Sequence, residues 1–506
     1  MVPPRPSNRS RRQRTLAGVA LFASLHASAA TFYVDATRGN DTGPGSATAP
    51  WRTFYRAAQA LRAGDTAIFA DGVYPETRRV VIAHSGTPDA PITFRSRNKH
   101  GAVIRFQNLQ SSWGHLYSRQ SYITIEDFDI TQDAKGTTPS DVLVYFDNST
   151  GMLKDAATQG NRFLGNKIHD AYFNALKAYK TDDLVVDGNI LYDTDGLAFV
   201  STNSFGTIFR NNLIFDVSTR DPHSGTAIQF KGGARSAQIY NNVFRVRSGS
   251  MTKVAIVIGG QSKANAVYDS GPQGYEAYNC VAHDNVIVAE DIGSLKFGLL
   301  MSGAKNSAFV NNVVVGAQWA IYLERAPGDA ANGWAWDPQV VNPVVKNNIV
   351  LDSAGSGSHS SAYFGGPGDV QGSVDHDYNL YYNAAKNDTL PPREPHGVYA
   401  DPMLVDTLND WHLRPGSPAL NAGQAQAFTG FRGERIDLSR DAAWTQRPRS
   451  GRWSLGAFHE PVSNRAERDG TTSHATIARH FVRAPDDTRQ PIDRAATPPV
   501  PAAPAQ

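Results

Sequence analysis

Asn211-Asn212-Leu213-Ile214 and Asn241-Asn242-Val243-Phe244 are two copies of the sequence unit that decides the fold. In each copy a glycine, asparagine or aspartate precedes an asparagine, and a short, largely apolar run follows. The other copies begin at Gly165, Gly188, Asp284, Asn311 and Asn347, so successive asparagines are 23, 23, 30, 43, 27 and 36 residues apart. Repeats of this length stack on their neighbours rather than fold alone. Because the units consist of short β runs, the sequence predicts a β-solenoid.

The recurring asparagine has a structural explanation. Asparagine tolerates the left-handed backbone of a tight bend, and its side-chain amide can bond to the backbone or to an asparagine one coil away. We therefore predict that these asparagines form a ladder along the solenoid and take no part in chemistry.

Composition excludes several classes of protein. The 506 residues include 49 basic and 47 acidic ones, a net charge of +2, whereas a nucleic-acid-binding protein shows a strong basic excess. The 44 glycines and 29 prolines are typical of a turn-rich β protein. Cys280 is the single cysteine, so an intrachain disulfide is excluded. We expect a monomer.

The chain divides into four parts. Residues 1–30 have the basic, apolar and small-residue order of an export signal, which predicts a secreted or periplasmic protein without a membrane span. Residues 31–79 contain a strand and, at 53–62, a helical spacing of apolar residues that predicts a cap for the first coil. Residues 80–460 form the solenoid with its closing coils. The Pro- and Ala-rich tail, 461–506, is predicted to be disordered.

The two ends of the solenoid carry a family resemblance. Phe32-Tyr33-Val34-Asp35, Gly39-Asn40-Asp41 and Pro50-Trp51-Arg52-Thr53 near the start, with Asp401-Pro402 and Ser417-Pro418-Ala419 near the end, resemble bacterial proteins of the pectate-lyase-like superfamily. The resemblance covers residues 32–458. It implies an all-β fold, a right-handed parallel β-helix.

Stacking the coils gives a predicted site. If Leu176, Leu197 and Ile228 are aligned as inward residues, alternation turns Lys177, Ala198 and Gln229 outward, with Lys231 further along its strand. Asp193, Asp195 and the loop from Asp221 to Ser224 flank the same strands, and His169-Asp170 lies upstream. The coil between Asn212 and Asn242 is longer than the two before it, and an inserted loop is where a solenoid often carries its site.

The segment Asp193-Thr194-Asp195-Gly196, followed by Ala227-Ile228-Gln229-Phe230-Lys231-Gly232-Gly233, resembles the catalytic region of calcium-dependent pectate lyases of polysaccharide lyase family 9. The resemblance implies that Lys231 is the base and that Asp193 and Asp195 bind Ca²⁺. Since Ca²⁺ takes six to eight oxygen ligands, two carboxylates are too few, and Asp170, Asn174, Asp216 or backbone carbonyls are the candidates for the others.

The implied reaction is β-elimination on a uronic-acid polymer, an acidic polysaccharide. The base removes the proton at C5, so the pKa of Lys231 must lie below the usual 10.4 of a free lysine. Lys177, Gln229 and Asp221 are predicted to bind substrate. Arg325, which follows Trp319 and Tyr322, is predicted to belong to a sugar subsite where aromatic rings stack on pyranose rings.

Three other functions stay open. Asp221-Pro222-His223 resembles a motif of alginate C5-epimerases, which makes His223 a second candidate catalytic residue. A glycoside hydrolase needs two carboxylates about 5 to 9.5 Å apart, for which Asp193 with Asp195, or Asp216 with Asp221, are the candidates. A non-catalytic carbohydrate-binding or surface solenoid is the third, because fold alone does not determine function.

Overall fold

The chain is a stack of coils in which each strand pairs in parallel with the strand one coil away. The computed structural model describes residues 1, 29–107, 114–133, 142–148, 157–217, 225–262, 274–326, 337–354, 361–384 and 393–461. Within these residues the strands form three long parallel sheets, named here I, II and III in the order in which a coil visits them. This confirms the predicted β-helix.

The strands of sheets I and II are short, mostly three to five residues. Sheet I consists of Thr31–Val34, Thr66–Phe69, Ile92–Ser96, Ile123–Glu126, Arg162–Leu164, Val185–Asp187, Ile208–Arg210, Gln238–Tyr240, Val281–His283, Ala308–Val310, Val344–Lys346 and Asp375–Asp377. Sheet II consists of Gly72–Glu76, Ala102–Phe106, Asp129–Gln132, Lys167–Ala171, Ile190–Thr194, Leu213–Val217, Val243–Val246, Val286–Ala289, Val313–Val315, Ile349–Leu351 and Leu380–Tyr382.

Sheet III contains the longest strands and is followed by a narrow fourth sheet. Sheet III consists of Val80–Ile82, Leu116–Ser118, Val142–Asp147, Asn174–Tyr179, Phe199–Thr202, Thr226–Lys231, Val254–Gly259, Phe297–Ser302, Trp319–Glu324 and Ala362–Tyr363. The fourth sheet consists of Ala234–Arg235, Ala277–Tyr278, Ala304–Lys305, Val340–Val341 and Val370–Gln371. Thr158–Gln159 and Thr181–Asp182 form a separate parallel pair. Inward apolar side chains from sheets I, II and III fill one continuous core.

The predicted asparagine ladder is confirmed. The Nδ2 of Asn212 donates to the Oδ1 of Asn242 at 3.0 Å, and the backbone N–H of Asn212 donates to the same oxygen. This pattern repeats from Asn166 through Asn348 and extends to Asn379, whose amide meets the buried carboxylate of Glu394. The residue before each ladder asparagine takes the left-handed backbone, for example Asn211 at φ 54°. In each unit, therefore, the first residue makes the backbone bend and the second makes the hydrogen bonds of the ladder.

A short helix closes the N-terminal end of the core, as predicted. It runs over Phe54–Ala60, and its N-cap Thr53 accepts a hydrogen bond from the backbone N–H of Arg56. The buried ring of Phe54 stacks on Phe69 and Phe94, with ring centroids 5.1 and 5.0 Å apart. The helix therefore covers apolar core that the first coil would otherwise expose.

The C-terminal segment, residues 401–461, differs from the expected closing coils. Its strands pair antiparallel within the segment: Leu404–Asp406 with Asp410–Leu413, Gly423–Gln424 with Arg452–Trp453, and Phe428–Thr429 with Arg435–Ile436. The segment folds back along the outside of the stack. Its buried apolar residues pack on the outer faces of sheets I and II.

The buried Arg447 holds this segment against the stack through an ion pair with Asp284.

The predicted export signal and tail lie almost wholly outside the described residues. No helix in the described part of the chain is long and apolar enough to cross a membrane.

Candidate functional site

The outer face of sheet III differs from those of sheets I and II. The C-terminal segment supplies apolar residues to the clusters on sheets I and II. The two apolar clusters on the outer face of sheet III contain no residue of that segment. The side chains on sheet III are therefore the place to look for binding and chemistry.

The coils also lengthen beside sheet III. Thr194 pairs with Val217, 23 residues later, whereas Phe199 pairs with Ile228, 29 residues later. The six extra residues therefore enter immediately before the strand Thr226–Lys231. On the next coil, Ile228 pairs with Ile256, 28 residues later, whereas Ala234 pairs with Ala277, 43 residues later. The extra residues of that coil therefore follow its sheet III strand. Insertions thus flank both edges of sheet III around Lys231, in line with the predicted long coil.

The observed register corrects the predicted one by two residues. Leu176 pairs with Phe199, and Phe199 pairs with Ile228, so Leu197 is not part of this inward row. Ala198 belongs to the core and does not face outward. The outward row is Lys177, Val200 and Gln229. Lys177 and Gln229 keep their predicted alignment and face outward as predicted, since only the coil between them is shifted.

Lys231 ends its strand as a half-buried side chain. Its Nζ donates a hydrogen bond to the carbonyl oxygen of Gln261 at 3.0 Å. Burial lowers the pKa of Lys231; the carboxylate of Glu276 opposes this shift, and the charge of Lys177 adds to it. Between Lys231 and the next bend, the chain has one residue more than the preceding coil has at the same place. Gly232 and Gly233 accommodate it in the left-handed backbone, at φ 65° and 84°.

Lys177 lies two coils before Lys231 on the same face. Its Nζ is 5.1 Å from the centroid of the Tyr145 ring. Burial lowers the pKa of Lys177, and the nearby Asp147 opposes that shift. The two lysines are two strand spacings apart along the stack, about 9.6 Å.

Arg119, two coils before Lys177, adds a third cation to this face, in the row that leads to Lys231. Its Nε donates to the hydroxyl of Tyr117 at 2.5 Å, and that hydroxyl donates to the buried Asp147 at 2.6 Å. The guanidinium of Arg79 lies over the same ring, 3.8 Å from its centroid. Sequence reasoning missed this group because the asparagine units that gave the register begin only at residue 165.

The predicted calcium ligands lie at the bend between sheets II and III. Asp170 and Asp193 occupy equivalent left-handed positions on neighbouring coils, at φ 55° and 49°. Asp170 is already bonded to the Nδ1 of His169 at 2.6 Å and to Thr131 at 3.2 Å. Burial raises the pKa of Asp170, but the hydrogen bond and charge of His169, together with hydrogen bonds to Asp193 and Thr131, lower it to about 2.

Asp195 is buried next to this bend, and its N–H donates to the carbonyl of Ala171. Among the residues that the structure describes, no three His, Cys, Asp or Glu side chains form a group able to hold a metal ion. The described carboxylates therefore do not fit a calcium centre, and calcium binding stays a prediction.

The predicted base and the predicted calcium ligands lie at opposite edges of sheet III. The strand from Thr226 to Lys231 spans about 17 Å at the usual rise per residue. The bend that holds Asp170 and Asp193 precedes sheet III, whereas Lys231 ends it. The structure therefore does not bring these groups together as one centre.

The remaining predicted residues are spread along the face. The Nε2 of Gln229 donates to the carbonyl of Gly259 at 3.2 Å, beside Lys231. Arg325 is three coils away, where it pairs with Asp337 through Nε at 2.7 Å. Asp221 and His223 lie outside the described residues, so their predicted roles stay predictions.

Glu276 is a neighbour of Lys231 that the sequence did not indicate. Its carboxylate accepts hydrogen bonds from the backbone N–H groups of Gly232 at 2.9 Å and Ser262 at 3.0 Å. Burial raises the pKa of Glu276, and the bonds from Ser262 and Gly232 act against that shift. Glu276 is 45 residues after Lys231 in the chain, so only the register of the coils reveals the contact.

Comparisons with known proteins agree with this geometry. The family described as "Pel9A-like, right handed beta helix region" matches residues 32–285, half of the chain. The chain belongs to this Pel9A-like β-helix family. The region of this Pel9A-like protein that matches the family contains Lys231, Lys177 and Arg119.

Individual relatives are distant. The uncharacterized protein YwoF of Bacillus subtilis (strain 168) is 22% identical over 448 residues, covering 75% of this chain and 90% of YwoF. The solved structure of XylC with xylose has a TM-score of 0.52 at 12% identity, covering 85% of this chain and 98% of XylC. Pectate lyase Pel9A has a TM-score of 0.50 at 14% identity, covering 85% and 96%. At these identities the two structures establish the shared fold.

Proposed function

We propose that this protein is a polysaccharide lyase that cleaves a uronic-acid polymer by β-elimination. The observation that carries the proposal is a group of three cations on the outer face of sheet III, Arg119, Lys177 and Lys231. Arg119 and Lys231 continue one outward row, and Lys177 lies two residues away along its strand, in the neighbouring outward row. Successive members are two strands apart, about 9.6 Å. A polyanion lying along the stack, across the strands, meets each cation in turn. Membership of the Pel9A-like family and the fold shared with pectate lyase Pel9A support the same choice.

Lys231 serves as the general base in this proposal. Its neutral Nζ removes the proton from C5 of a uronate residue. The electrons of the C5–H bond form a C4–C5 double bond, the C4–O bond breaks, and the released oxygen takes up a proton. Burial lowers the pKa of Lys231, which increases the neutral fraction of the amine near neutral pH.

Lys177 and Arg119 bind the carboxylates of the polymer. The C5 proton is weakly acidic, and cations near the uronate carboxylate stabilise the negative charge that develops as the proton leaves. Lys177 is half-buried, so its interaction with an anion is screened less than that of an exposed lysine. No step requires a metal ion, although calcium bound to the substrate would supply the same neutralisation.

The test is an assay of the purified protein on a panel of polyuronates, with and without a calcium chelator. A lyase releases an unsaturated product with ultraviolet absorbance, which a hydrolase does not. Absence of this product on every polyuronate would contradict the proposal. Loss of activity with the chelator would restore the calcium prediction, and unchanged activity would remove it. From the predicted export signal we also propose that this activity is periplasmic or secreted.

A glycoside hydrolase is the second candidate, because the structure offers one carboxylate pair for it. Burial, with a contribution from Asp369, raises the pKa of Glu324. The pKa of Asp369 is lowered by the hydroxyl of Tyr363, against the effect of burial. A carboxyl group with a raised pKa and one with a lowered pKa match the acid and the ionised carboxylate that hydrolysis uses at a separation of about 5 to 9.5 Å. Release of reducing sugars without ultraviolet absorbance, abolished by Glu324→Gln, would favour this candidate.

A C5-epimerase is the third activity kept open by the sequence, and it rests on His223. In the same assay an epimerase releases no fragments and changes the ratio of the two uronate epimers in the polymer. Proton exchange at C5 with solvent deuterium, without chain cleavage, would identify it.

A further inference from the structure

Four aromatic rings lie together on the outer face of sheet III, beyond Lys231. We name Phe297, Trp319, Tyr322 and Tyr363 the aromatic patch. Tyr322 is the central ring: its centroid is 4.5 Å from that of Phe297, 5.6 Å from Trp319 and 4.7 Å from Tyr363. All four side chains are partly exposed, whereas Ile321 and Leu323 between them are buried in the core.

The register of the strands connects the patch to the lysines. Tyr322 pairs with Leu300, Leu300 with Val257 and Val257 with Gln229, so Tyr322 continues the outward row that contains Lys177. Three strand spacings, about 14 Å, separate the patch from the strand of Lys231. A polymer that lies along the stack over Lys231 therefore reaches the patch within a few sugar residues.

Carboxylates border the patch at the end of its strands. Glu324 follows the ring of Tyr322 by two residues, and it occupies the row in which Lys231 lies three strands earlier. The hydroxyl of Tyr363 donates to the Oδ2 of Asp369 at 2.8 Å. The guanidinium of Arg325, the residue after Glu324, is paired with Asp337. An incoming uronate would place its carboxylate beside Asp369, which repels it, and beside Glu324, which offers it no positive charge.

Uncharged sugars meet no such penalty. The C–H face of a pyranose ring packs on an aromatic ring, and its hydroxyl groups can donate hydrogen bonds to carboxylates. Carboxylates that repel a uronate are therefore good partners for a neutral sugar. The opposite edge of the patch carries Lys296, whose Nζ is 4.8 Å from the Phe297 centroid.

We propose that the aromatic patch is a subsite for uncharged pyranose residues of the substrate. The natural polymer then carries neutral sugars, in its backbone or as branches, a few residues from the uronate that is cleaved. This inference rests on the proposed function only in placing the polymer along sheet III. Binding of neutral sugars at the patch can be measured without any cleavage.

The experiment measures binding of neutral oligosaccharides (xylo-, gluco- and galacto-oligosaccharides) and of oligogalacturonate to the full chain by calorimetry. We expect at least one neutral oligosaccharide to bind, and Tyr322→Ala to weaken its binding about 3- to 10-fold. Oligogalacturonate binding should stay within twofold in that variant. Tyr33→Ala, which removes a partly exposed ring from sheet I, is the matched control. Absence of neutral binding, or binding insensitive to Tyr322→Ala, would overturn the proposal.

Two further variants keep the result interpretable if Tyr322→Ala alters folding. Tyr322→Phe keeps the ring, so neutral binding should persist. Glu324→Lys reverses the charge beside the ring, and we expect it to strengthen oligogalacturonate binding. No gain for the uronate in Glu324→Lys would count against the assigned charge selection. The two proposals can fail separately. If the wild-type protein binds a neutral oligosaccharide but yields no unsaturated product on any polyuronate, the subsite is established and the lyase is rejected. Neutral binding should also persist in Lys231→Ala.

Discussion

The two halves of sheet III share one backbone and carry opposite chemistry. In the half that contains Lys177 and Lys231, cations lie beside tyrosine rings. In the half that contains Tyr322 and Glu324, carboxyl groups lie beside the rings. Lys231 and Glu324 occupy the same row of the same sheet, three strands apart. The parallel register holds both rows in line, so the difference between the halves comes from side chains alone.

This difference shows how a solenoid can build a long binding face with several specificities. The core and the asparagine ladder fix the spacing of the strands at every rung. Side chains at outward positions are not constrained by core packing, so their charge can change from positive to negative within about 14 Å along the stack. Sheets I and II have less of this freedom where the C-terminal segment covers them.

Removal of the base should have the largest effect on the basic half. Lys231→Ala is expected to lower kcat by 10²- to 10⁴-fold, the usual contribution of a general base, with a much smaller change in KM. The measurement is the rate of formation of unsaturated product. Lys346→Ala, which removes a lysine from sheet I, is the matched control and should keep the wild-type rate. A Lys231→Ala enzyme with normal kcat would remove the base assignment.

Lys177→Met should act on binding more than on chemistry. A hydrogen bond to a charged group contributes about 1.5 to 3 kcal/mol, so KM for the polyuronate is expected to rise about 10- to 100-fold. Lys177→Arg keeps the charge and should retain most of the affinity. Steady-state kinetics on one polyuronate separates the two parameters. If Lys177→Met lowered kcat alone and left KM unchanged, Lys177 would not bind the carboxylates of the substrate.

The sequence predicted the repeating parts of this molecule better than the site. The ladder from Asn166 to Asn348 is visible because one backbone bend, repeated on every coil, selects the same residue pair. Asn379 was missed because Tyr378 takes the left-handed position before it, which hides the unit. The acidic end of that ladder, Glu394, is fifteen residues further on and has no local signal.

The outward direction of Lys177 and Lys231 was predicted because side chains alternate along a strand and because Leu176 and Ile228 keep their predicted alignment. The contacts across coils were not predictable. Leu197 and Phe199 are both apolar, so sequence alone did not choose between them as partners of Leu176. Inserted residues change the offset between neighbouring coils, and this hid the contacts of Lys231 with Gln261 and Glu276.

The pH profile should separate two neighbours of Lys231 by the direction of their effects. The neutral amine is the active form, so kcat/KM should rise with pH through the pKa of Lys231. Lys177→Met removes a positive charge that lowers this pKa, and the rising limb should move to higher pH. Glu276→Gln removes a negative charge that raises it, and the limb should move to lower pH. Shifts in the same direction would contradict the arrangement of charges around Lys231.

Salt should distinguish the two halves by the smallest effect. Raising the ionic strength from about 0.1 M to 1 M shortens the screening length from about 10 Å to 3 Å. This weakens the attraction between a polyanion and the cations Arg119, Lys177 and Lys231. We expect KM for the polyuronate to rise several-fold over this range. Binding of a neutral oligosaccharide at the aromatic patch should stay within about twofold, because it depends on ring packing and not on net charge. Calorimetry on both ligands in the same buffers makes the comparison direct. Equal sensitivity of the two ligands to salt would mean that the halves of sheet III do not recognise different sugars.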